Sequence, residues 1–327
     1  MPLPNQAQKE AYLKKIGFSG NVTSTFETLK KIVEGHIFTF PFETIGVHDS
    51  TLDNAPSRNM SLDFDAVFKR CVTENRGGHC VVINWLLQNM LESFGFKVTP
   101  ILCDTMWGTD SPKGERSKHC ASIVTVEGNQ YLVDAGFGSV GLLSPVLLKA
   151  GEYKQFSEKF RIIKSKEYAF ECQVWDKDSW ESLYGINTAP ASFEDYQRVN
   201  RIESSPLDPE CMFSKTMLCT KPYKIGAAKN GRIRILNDYL TVSDDQSVIK
   251  RSTFTTVRTL EKHLSEQFNI QLSGDKIRFT REDQDLYERK NQPKPILHSF
   301  GARRHRKTAV RIKEPQIQRR SARAQRK

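Results

Sequence analysis

The sequence predicts an α+β protein in which helices come first, strands follow, and a smaller mixed unit comes last. Three observations support this order: helical periodicity over residues 1–96, strand-like runs from 97 to about 180, and further strand-like runs with one helix after 200. The 327 residues suffice for two or three compact units. No internal repeat is evident.

Three helical segments make up the first region. Ser24 and Glu27 fit a capping box with apolar residues following at helical spacing, and Pro41 ends this helix because proline disfavours helical geometry in the residue before it. SLDFDAVFKRCVTEN is predicted to form a short second helix. The third helix spans residues 80 to about 94, and Gly95 closes it.

Strand-like runs dominate the middle of the chain. KVTPILCDTMW, CASIVTV and YLVDAGF are predicted strands, and Glu-Gly-Asn-Gln between the last two predicts a hairpin. FRIIKS and AFECQVW extend this β-rich region. After ASFEDYQRVN, the last unit has predicted strands around MFSKTMLCT and GRIRILNDYLTV, and its helix is TLEKHLSEQFNI, near residues 259–270.

The positive charge is concentrated in a C-terminal tail. The chain carries a net charge of +11, but residues 301–327 hold 11 Lys or Arg and one acidic residue, which leaves 38 basic and 37 acidic residues elsewhere. The tail has few large apolar residues, so we expect it to be disordered. It is a candidate contact for acidic lipid, nucleic acid or a nuclear import factor, and a merely solvated tail is the alternative. The nearly neutral body counts against a nucleic-acid-binding protein.

Composition indicates a soluble intracellular protein. No run approaches the roughly 18 apolar residues of a membrane helix, and the N-terminus lacks an apolar signal core. We therefore expect a cytoplasmic location, with nuclear entry open through the basic tail. The seven cysteines show no CxxC spacing, so most should be reduced core residues, and no metal is expected.

The segment RGGHC, residues 76–80, places a cysteine at the start of an apolar helix. Gly77 and Gly78 can adopt backbone conformations that side chains forbid, which allows a sharp turn into the helix. Cys80 then lies in the first helical turn, where unpaired N–H groups and the helix dipole favour an anion and lower a thiol pKa. Arg76 could hold the turn by bonding carbonyl groups or supply positive potential. Cys80 is therefore a candidate nucleophile, although a buried structural cysteine fits this position too.

A nucleophilic thiol needs a base and a group that orients the base. His119 begins the strand HCASIVTV, and Asp134 is a lone acid in YLVDAGFG, where an acid is costly without a partner. If Gly128 and Asn129 form a two-residue turn, His119 and Asp134 share a face but lie about 13 Å apart along it. A wider loop, a bulge or a different register is then required. As structural alternatives, His119 would be a satisfied histidine at the end of a strand, and Asp134 would be an acid that caps a turn.

GFGSVG, residues 136–141, matches GxGxxG after a predicted strand. LLSP follows it instead of a long helix, so the sequence does not favour a dinucleotide fold. A glycine-rich bend that presents amide groups to a phosphate fits the sequence better.

Four stretches together resemble the arylamine N-acetyltransferase family. They are LKKIVEGHIFTFPFET, RGGHCVVINWLLQNMLESFGF, HCASIVTVEGNQYLVDAGFG and, more loosely, ESLYGINTAP through FNIQLS, and they span roughly residues 10–280. The order Cys, His, Asp with gaps of 39 and 15 residues is specific as a set. The resemblance implies a papain-like three-domain arrangement: a helical bundle (1–96), a β-barrel (97–199) and an α/β lid (200–290), followed by the basic tail (291–327).

The same resemblance implies a catalytic triad and a two-step reaction. Cys80 would be the nucleophile, His119 the base and Asp134 its orienting group. Acetyl-CoA would acetylate the cysteine, and a small arylamine or arylhydrazine would then accept the acetyl group. The resemblance also places a further set of residues at the substrates: Phe137 and Phe42 at the acceptor, and Gly136, Gly138 and Ser139 at the coenzyme.

Two other classes of protein remain open at this point. A papain-like cysteine peptidase or a transglutaminase-type acyltransferase can have the same chain order of Cys, His and Asp, and neither uses CoA. A non-enzymatic module with a basic binding tail is the third interpretation. The sequence leaves open the preferred amine, the length of the acyl donor and the oligomeric state.

Overall fold

The computed structural model describes residues 3–48, 60–109, 111–113, 118–204, 211, 213, 216–245 and 247–272. The predicted basic tail lies outside these residues. Among the residues described, no helix is both long and apolar enough to cross a membrane.

A helical unit surrounds the segment that carries Cys80. Its elements, with one short strand, are α1 (Gln6–Lys15), α2 (Phe26–Thr39), β1 (Phe42–Glu43), α3 (Phe64–Phe68), which continues into a π-helical turn (Lys69–Thr73), and α4 (Cys80–Ser93). Every residue of α4 from Cys80 to Leu91 is buried, as expected for a helix that is apolar on most of its surface. A later helix, α5 (Phe193–Ser204), packs on α4 through the ring of Trp85 against Phe193 and Tyr196.

The helix ends follow local chemistry, with one departure from prediction. The N-cap of α2 is Thr25, whose hydroxyl accepts from the N–H of Thr28, so the predicted capping box at Ser24 is wrong by one residue. The helix ends at Thr39, two residues before Pro41, as predicted. Gly95 follows α4 with φ of +85°, a left-handed conformation that glycine adopts without steric cost.

An eight-stranded antiparallel sheet forms the second unit. Its strands are β2 (Lys97–Thr105), β3 (Lys118–Val126), β4 (Asn129–Val133), β5 (Val146–Leu147), β6 (Gly151–Gln155), β7 (Glu158–Ile163), β8 (Phe170–Asp176) and β9 (Ser179–Pro190). They are ordered β5-β4-β3-β2-β9-β8-β7-β6. The Gln155 amide, at the β6 edge, bonds the backbone of Leu143 and Ser144 just before β5. The two edges therefore approach each other, and the sheet nearly closes into a barrel around an apolar core.

The hairpin between β3 and β4 sets the position of Asp134. Val126 pairs with Asn129, so the turn residues are Glu127 and Gly128, with φ of +51° and +75°. Positive φ at both central positions is the geometry of a type I′ turn, whose twist matches that of the strands it joins. The turn considered from sequence, Gly128–Asn129, is wrong by one residue. The pairing of β3 with β4 is consequently shifted by two residues from the register that a Gly128–Asn129 turn would give.

The third unit is a five-stranded antiparallel sheet with a helix. Its strands are β10 (Leu218–Ile225), β11 (Lys229–Leu236), β12 (Tyr239–Asp244) and β13 (Ser247–Thr253), and β1 of the helical unit pairs with β10. Helix α6 (Val257–His263) continues into a π-helical turn (Leu264–Phe268). The strand predicted around MFSKTMLCT begins only at Leu218. Helices, a barrel sheet and a smaller mixed unit together confirm the predicted α+β class.

Candidate active site

Cys80 is the first residue of α4, and two glycines precede it because the backbone there is tightly enclosed. A Cβ on Gly77 would lie 1.7 Å from the Pro41 carbonyl oxygen, and one on Gly78 would lie 2.6 Å from the Val82 side chain. Neither glycine has a positive φ. Unusual backbone angles, the reason predicted from sequence for the two glycines, are therefore wrong. The glycines allow close packing of the turn instead.

A buried carboxylate fixes the turn before Cys80. Glu43 Oε1 accepts from Arg76 Nη2 at 2.8 Å and Arg70 Nη2 at 2.5 Å, and Arg70 Nε donates to the Gly77 carbonyl. The Glu43 N–H donates to the Gly78 carbonyl at 3.1 Å. Burial opposes ionisation of Glu43, but the two guanidinium groups lower its pKa to about 2. Glu43 was not among the site residues predicted from sequence, although an acid inside the apolar run FTFPFET is a signal that a partner exists.

His119 and Asp134 are joined by a short hydrogen bond. The distance between His119 Nε2 and Asp134 Oδ2 is 2.8 Å. Asp134 directly follows β4, and the observed register brings it within two residues of His119 along β3, which removes the gap of about 13 Å considered from sequence. The other carboxylate oxygen, Oδ1, accepts from Asn84 Nδ2 at 3.1 Å and from the Gly136 N–H at 2.8 Å. Three hydrogen bonds, from His119, Asn84 and Gly136, therefore fix the Asp134 carboxylate.

Asn84 connects the cysteine helix to the histidine and aspartate strands. It lies one turn after Cys80 in α4. Its Nδ2 donates to the Cys120 carbonyl at 2.6 Å, and its Oδ1 accepts from the Ala135 N–H at 2.8 Å. Because these bonds join residues adjacent to His119 and Asp134, they hold the helix N-terminus in register with both strands.

The electrostatic environment favours an ionised Cys80 beside a protonated His119. Hydrogen bonding from the Cys120 thiol lowers the pKa of Cys80, burial opposes this, and hydrogen bonds with His119 and His79 lower the pKa further, to well below its usual value. Burial alone would lower the pKa of His119, but the Asp134 charge and its hydrogen bond raise it to about 10. Since Nε2 faces Asp134, Nδ1 is the nitrogen that remains for Cys80. Both pKa shifts act in the direction of a thiolate–imidazolium pair.

A cavity of about 80 Å³ opens above this pair, and its walls include the aromatic side chains of Phe42, Trp107, Phe137 and Phe213. The Phe137 ring stands edge-on to the His119 ring, with centroids 5.0 Å apart, and Phe42 packs against Phe213 on another wall. All but one of the site residues predicted from sequence line this space: Cys80, His119, Phe42, Gly136, Phe137, Gly138 and Ser139. Asp134 lies behind His119 and is not part of the wall.

The GFGSVG segment forms the cavity wall nearest the cysteine. A Cβ on Gly136 would lie 2.8 Å from Cys80 Cα, and Gly138 has φ of +74°. A short 3-10 turn (Gly138–Val140) follows, so the long helix of a dinucleotide fold is not formed here. The Ser139 hydroxyl and the Trp107 indole N–H line the cavity, and both are buried without a hydrogen-bond partner in the described part of the chain.

Of the remaining cysteines, only Cys120 has been given a part in the site, through its hydrogen bond to Cys80. All seven are buried, and none forms a disulfide bond. Burial raises the pKa of Cys71 to about 12, so this thiol stays protonated at neutral pH. Within the described ranges, no three His, Cys, Asp or Glu side chains form a group that could hold a metal ion.

Comparison with known proteins assigns this site to a family. A family model described as N-acetyltransferase matches residues 25–277, which contain every candidate site residue. The chain belongs to the arylamine N-acetyltransferase family. It is similar to human arylamine N-acetyltransferase 1, with 26% identity over 283 residues that cover 80% of this chain and 94% of the human protein.

Other relatives extend this comparison in sequence and in fold. Proansamycin X synthase of Amycolatopsis mediterranei is 25% identical over 247 residues, which cover 75% of this chain and 91% of that protein. The structure of Mycobacterium marinum arylamine N-acetyltransferase in complex with CoA matches with a TM-score of 0.67 at 22% identity, covering 80% of this chain and 92% of that chain. The shared fold confirms the predicted papain-like three-domain arrangement.

Proposed function

We propose that this protein transfers an acetyl group from acetyl-CoA to the nitrogen of a small arylamine or arylhydrazine through an acetyl-cysteine at Cys80. The observation that carries the proposal is the Cys80–His119–Asp134 arrangement at the floor of an aromatic cavity. Membership of the arylamine N-acetyltransferase family supports the reaction class. The CoA bound to the related M. marinum enzyme supports the identity of the donor.

In the first half-reaction, the Cys80 thiolate attacks the thioester carbonyl of the donor. The carbonyl oxygen becomes negatively charged in the tetrahedral intermediate, and backbone N–H groups of the first turn of α4 are suitably located to stabilise it. The intermediate collapses as the carbon–sulfur bond to CoA breaks. Protonated His119 supplies a proton to the leaving thiolate, so CoA departs as a thiol and acetyl-Cys80 remains.

In the second half-reaction, the amine attacks the acetyl-cysteine. His119, now neutral, removes the proton that the nitrogen loses as the amide forms. The Cys80–carbon bond then breaks and the thiolate is restored beside the imidazolium. Asp134 fixes the ring orientation in both steps and stabilises the imidazolium, because its Oδ2 bonds Nε2 and leaves Nδ1 directed to the sulfur.

The cavity walls fit an aromatic acceptor and a thioester donor. Phe137 and Phe42 offer ring faces and edges with which an arylamine ring can stack. Gly136, Gly138 and Ser139 border the same space. There the unpartnered Ser139 hydroxyl is available to an amide of the donor arm.

A papain-like peptidase or transglutaminase would use the same three groups without CoA. The family match disfavours both alternatives. Hydrolysis of a peptide, or ammonia release from glutamine, in the absence of CoA would favour them.

The proposal is tested by mixing the protein with acetyl-CoA alone and measuring its intact mass. We expect a gain of about 42 Da, located on Cys80 by peptide mapping, because the acyl-enzyme accumulates without an acceptor. Adding an arylamine should discharge it. Cys80→Ala should abolish the adduct, whereas the matched control Cys71→Ala should keep it. An adduct on another residue, or none in the folded wild type, would refute the proposal.

A further inference from the structure

The cavity above Cys80 has an acidic side chain in its wall that the mechanism above does not use. Glu203, in the last turn of α5, lines this cavity and is only 4% exposed to solvent. Burial is the main cause that raises the pKa of the Cys120 thiol, and the negative charge of Glu203 adds to that rise. Because Cys120 hydrogen-bonds Cys80, the charge of Glu203 acts at the end of the cavity where the acetyl group is transferred.

Backbone and neighbouring contacts fix Glu203 between two parts of the site. Its carbonyl accepts from the Cys211 thiol at 3.5 Å, and Phe213, two residues further along the chain, lines the same cavity. The next residue, Ser204, bonds His79 Nε2 at 2.9 Å, and His79 directly precedes the nucleophile. Glu203 therefore lies between an aromatic part of the wall and the turn that carries the reactive sulfur.

The cationic side chains of the described wall are already engaged by carboxylates. Lys118 forms an ion pair with Asp104 at 2.5 Å, and the other oxygen of Asp104 accepts from the Tyr168 hydroxyl. His119 is bonded to Asp134. Among the described residues that line the cavity, no further cationic side chain is present to receive an anionic group on an acceptor.

A carboxylate in such a wall distinguishes acceptors by their charge. Carboxylate oxygens only accept hydrogen bonds, so they favour a substituent that carries N–H groups or a positive charge. They repel an anionic substituent, and this repulsion is stronger in a cavity that excludes water than it is in solution. The rings of Phe42, Phe137 and Phe213 can hold any aryl ring and do not make this distinction.

We propose that Glu203 determines the charge selectivity of the acceptor, so that the protein prefers arylamines with a neutral hydrogen-donating or cationic ring substituent over arylamines with a carboxylate substituent. This inference rests on the proposed function, because it names the class of amine that receives the acetyl group. Glu203 is a specificity residue in this assignment and takes no part in the transfer of the proton or the acetyl group.

The test compares p-aminobenzamide and p-aminobenzoate, which match in size and differ by one charge, together with cationic p-(aminomethyl)aniline. We expect the wild type to have a higher kcat/KM for p-aminobenzamide than for p-aminobenzoate, although the carboxylate withdraws less electron density and leaves the more nucleophilic amine. Because the acceptor reacts only with the acetyl-enzyme, kcat/KM for the acceptor reports the second half-reaction alone.

Glu203→Gln keeps the size of the side chain and removes its charge. It should raise kcat/KM for p-aminobenzoate relative to p-aminobenzamide by roughly tenfold, the order expected when one like charge is removed from a partly screened site. The same variant should lower the relative kcat/KM for p-(aminomethyl)aniline. Glu194→Gln, which removes an exposed carboxylate of α5 outside the cavity, is the matched control and should leave both ratios unchanged.

Three results would overturn the assignment. They are unchanged ratios in Glu203→Gln, an equal loss of activity with all three amines in that variant, and a wild type that uses p-aminobenzoate more efficiently than p-aminobenzamide. The last result needs no variant, so the assignment can be refuted even if Glu203→Gln does not fold. Failure of acetyl-CoA to acetylate Cys80 in the wild type would instead refute the proposed function, because that step precedes the acceptor.

Discussion

Glu43 provides a direct test of how the turn before Cys80 is stabilised. We predict that Glu43→Gln destabilises the folded protein at neutral pH, because it removes a charge that two guanidinium groups surround. The side chain of Glu43 is fully buried, and those of Arg70 and Arg76 are only 23% and 17% exposed. Solvent therefore screens these pairs little. The variant should also acetylate Cys80 more slowly, since the Glu43 carboxylate holds Arg70, which donates to the Gly77 carbonyl three residues before Cys80.

The magnitude follows from the pKa of Glu43. A fall from the ordinary value of 4.5 to about 2 on folding corresponds to about 3 kcal/mol in favour of the folded state at pH 7. Because the folded pKa is the lower one, this contribution is complete above pH 4.5 and is lost as the pH falls toward 2. Between pH 7 and pH 3, about 2 kcal/mol of it should disappear.

The assay is urea denaturation of wild type and Glu43→Gln at pH 7 and at pH 3. We expect a difference in the free energy of unfolding of about 3 kcal/mol at pH 7 that narrows to about 1 kcal/mol at pH 3. Taking the difference between the proteins cancels the titration of distant groups. Glu74→Gln, which removes a half-exposed carboxylate paired with Lys69, is the control and should cost under about 1 kcal/mol. If the difference in the free energy of unfolding between wild type and Glu43→Gln were the same at both pH values, the reasoning would be refuted.

Two further predictions concern ionisation at the site. Asp134→Asn removes the charge that raises the pKa of His119 to about 10, so that pKa should fall. Alkylation of Cys80 by iodoacetamide at pH 7 should then slow at least about tenfold, and an unchanged rate would contradict the assigned pairing. Cys120→Ala removes a hydrogen bond that lowers the pKa of Cys80, so the midpoint of the alkylation rate against pH should move upward. A midpoint that stays in place would show that His119 alone sets the ionisation.

The sequence was informative where local rules decide structure. Pro41 ended α2 and Gly95 closed α4 where predicted, because proline and glycine act through their own backbone geometry. Residue order and spacing identified Cys80, His119 and Asp134, and their catalytic roles remain predictions. The sequence failed where two competing local choices were close in energy. Both Glu127–Gly128 and Gly128–Asn129 could form a two-residue turn, and the choice moves Asp134 by two pairing positions.

The contacts of Glu43 and Asn84 could not be predicted from their neighbours in sequence. Glu43 meets Arg76 across 33 residues, and Asn84 meets Asp134 across 50. A carboxylate in an apolar run signals that some partner exists, but chain folding determines which group it is. The reason for the two glycines before Cys80 also appeared only when Pro41 and Val82 were seen packed against them.

Periodicity along the chain determined the α+β class, and four stretches that resemble the arylamine N-acetyltransferase family indicated the family and the residues capable of the chemistry. Only the tertiary structure decided the contacts that lower the pKa of Cys80 and the pairing of Glu43 with two arginines before it. Both depend on burial and on charges brought together from distant segments, and neither burial nor distance between segments can be read from residue order alone.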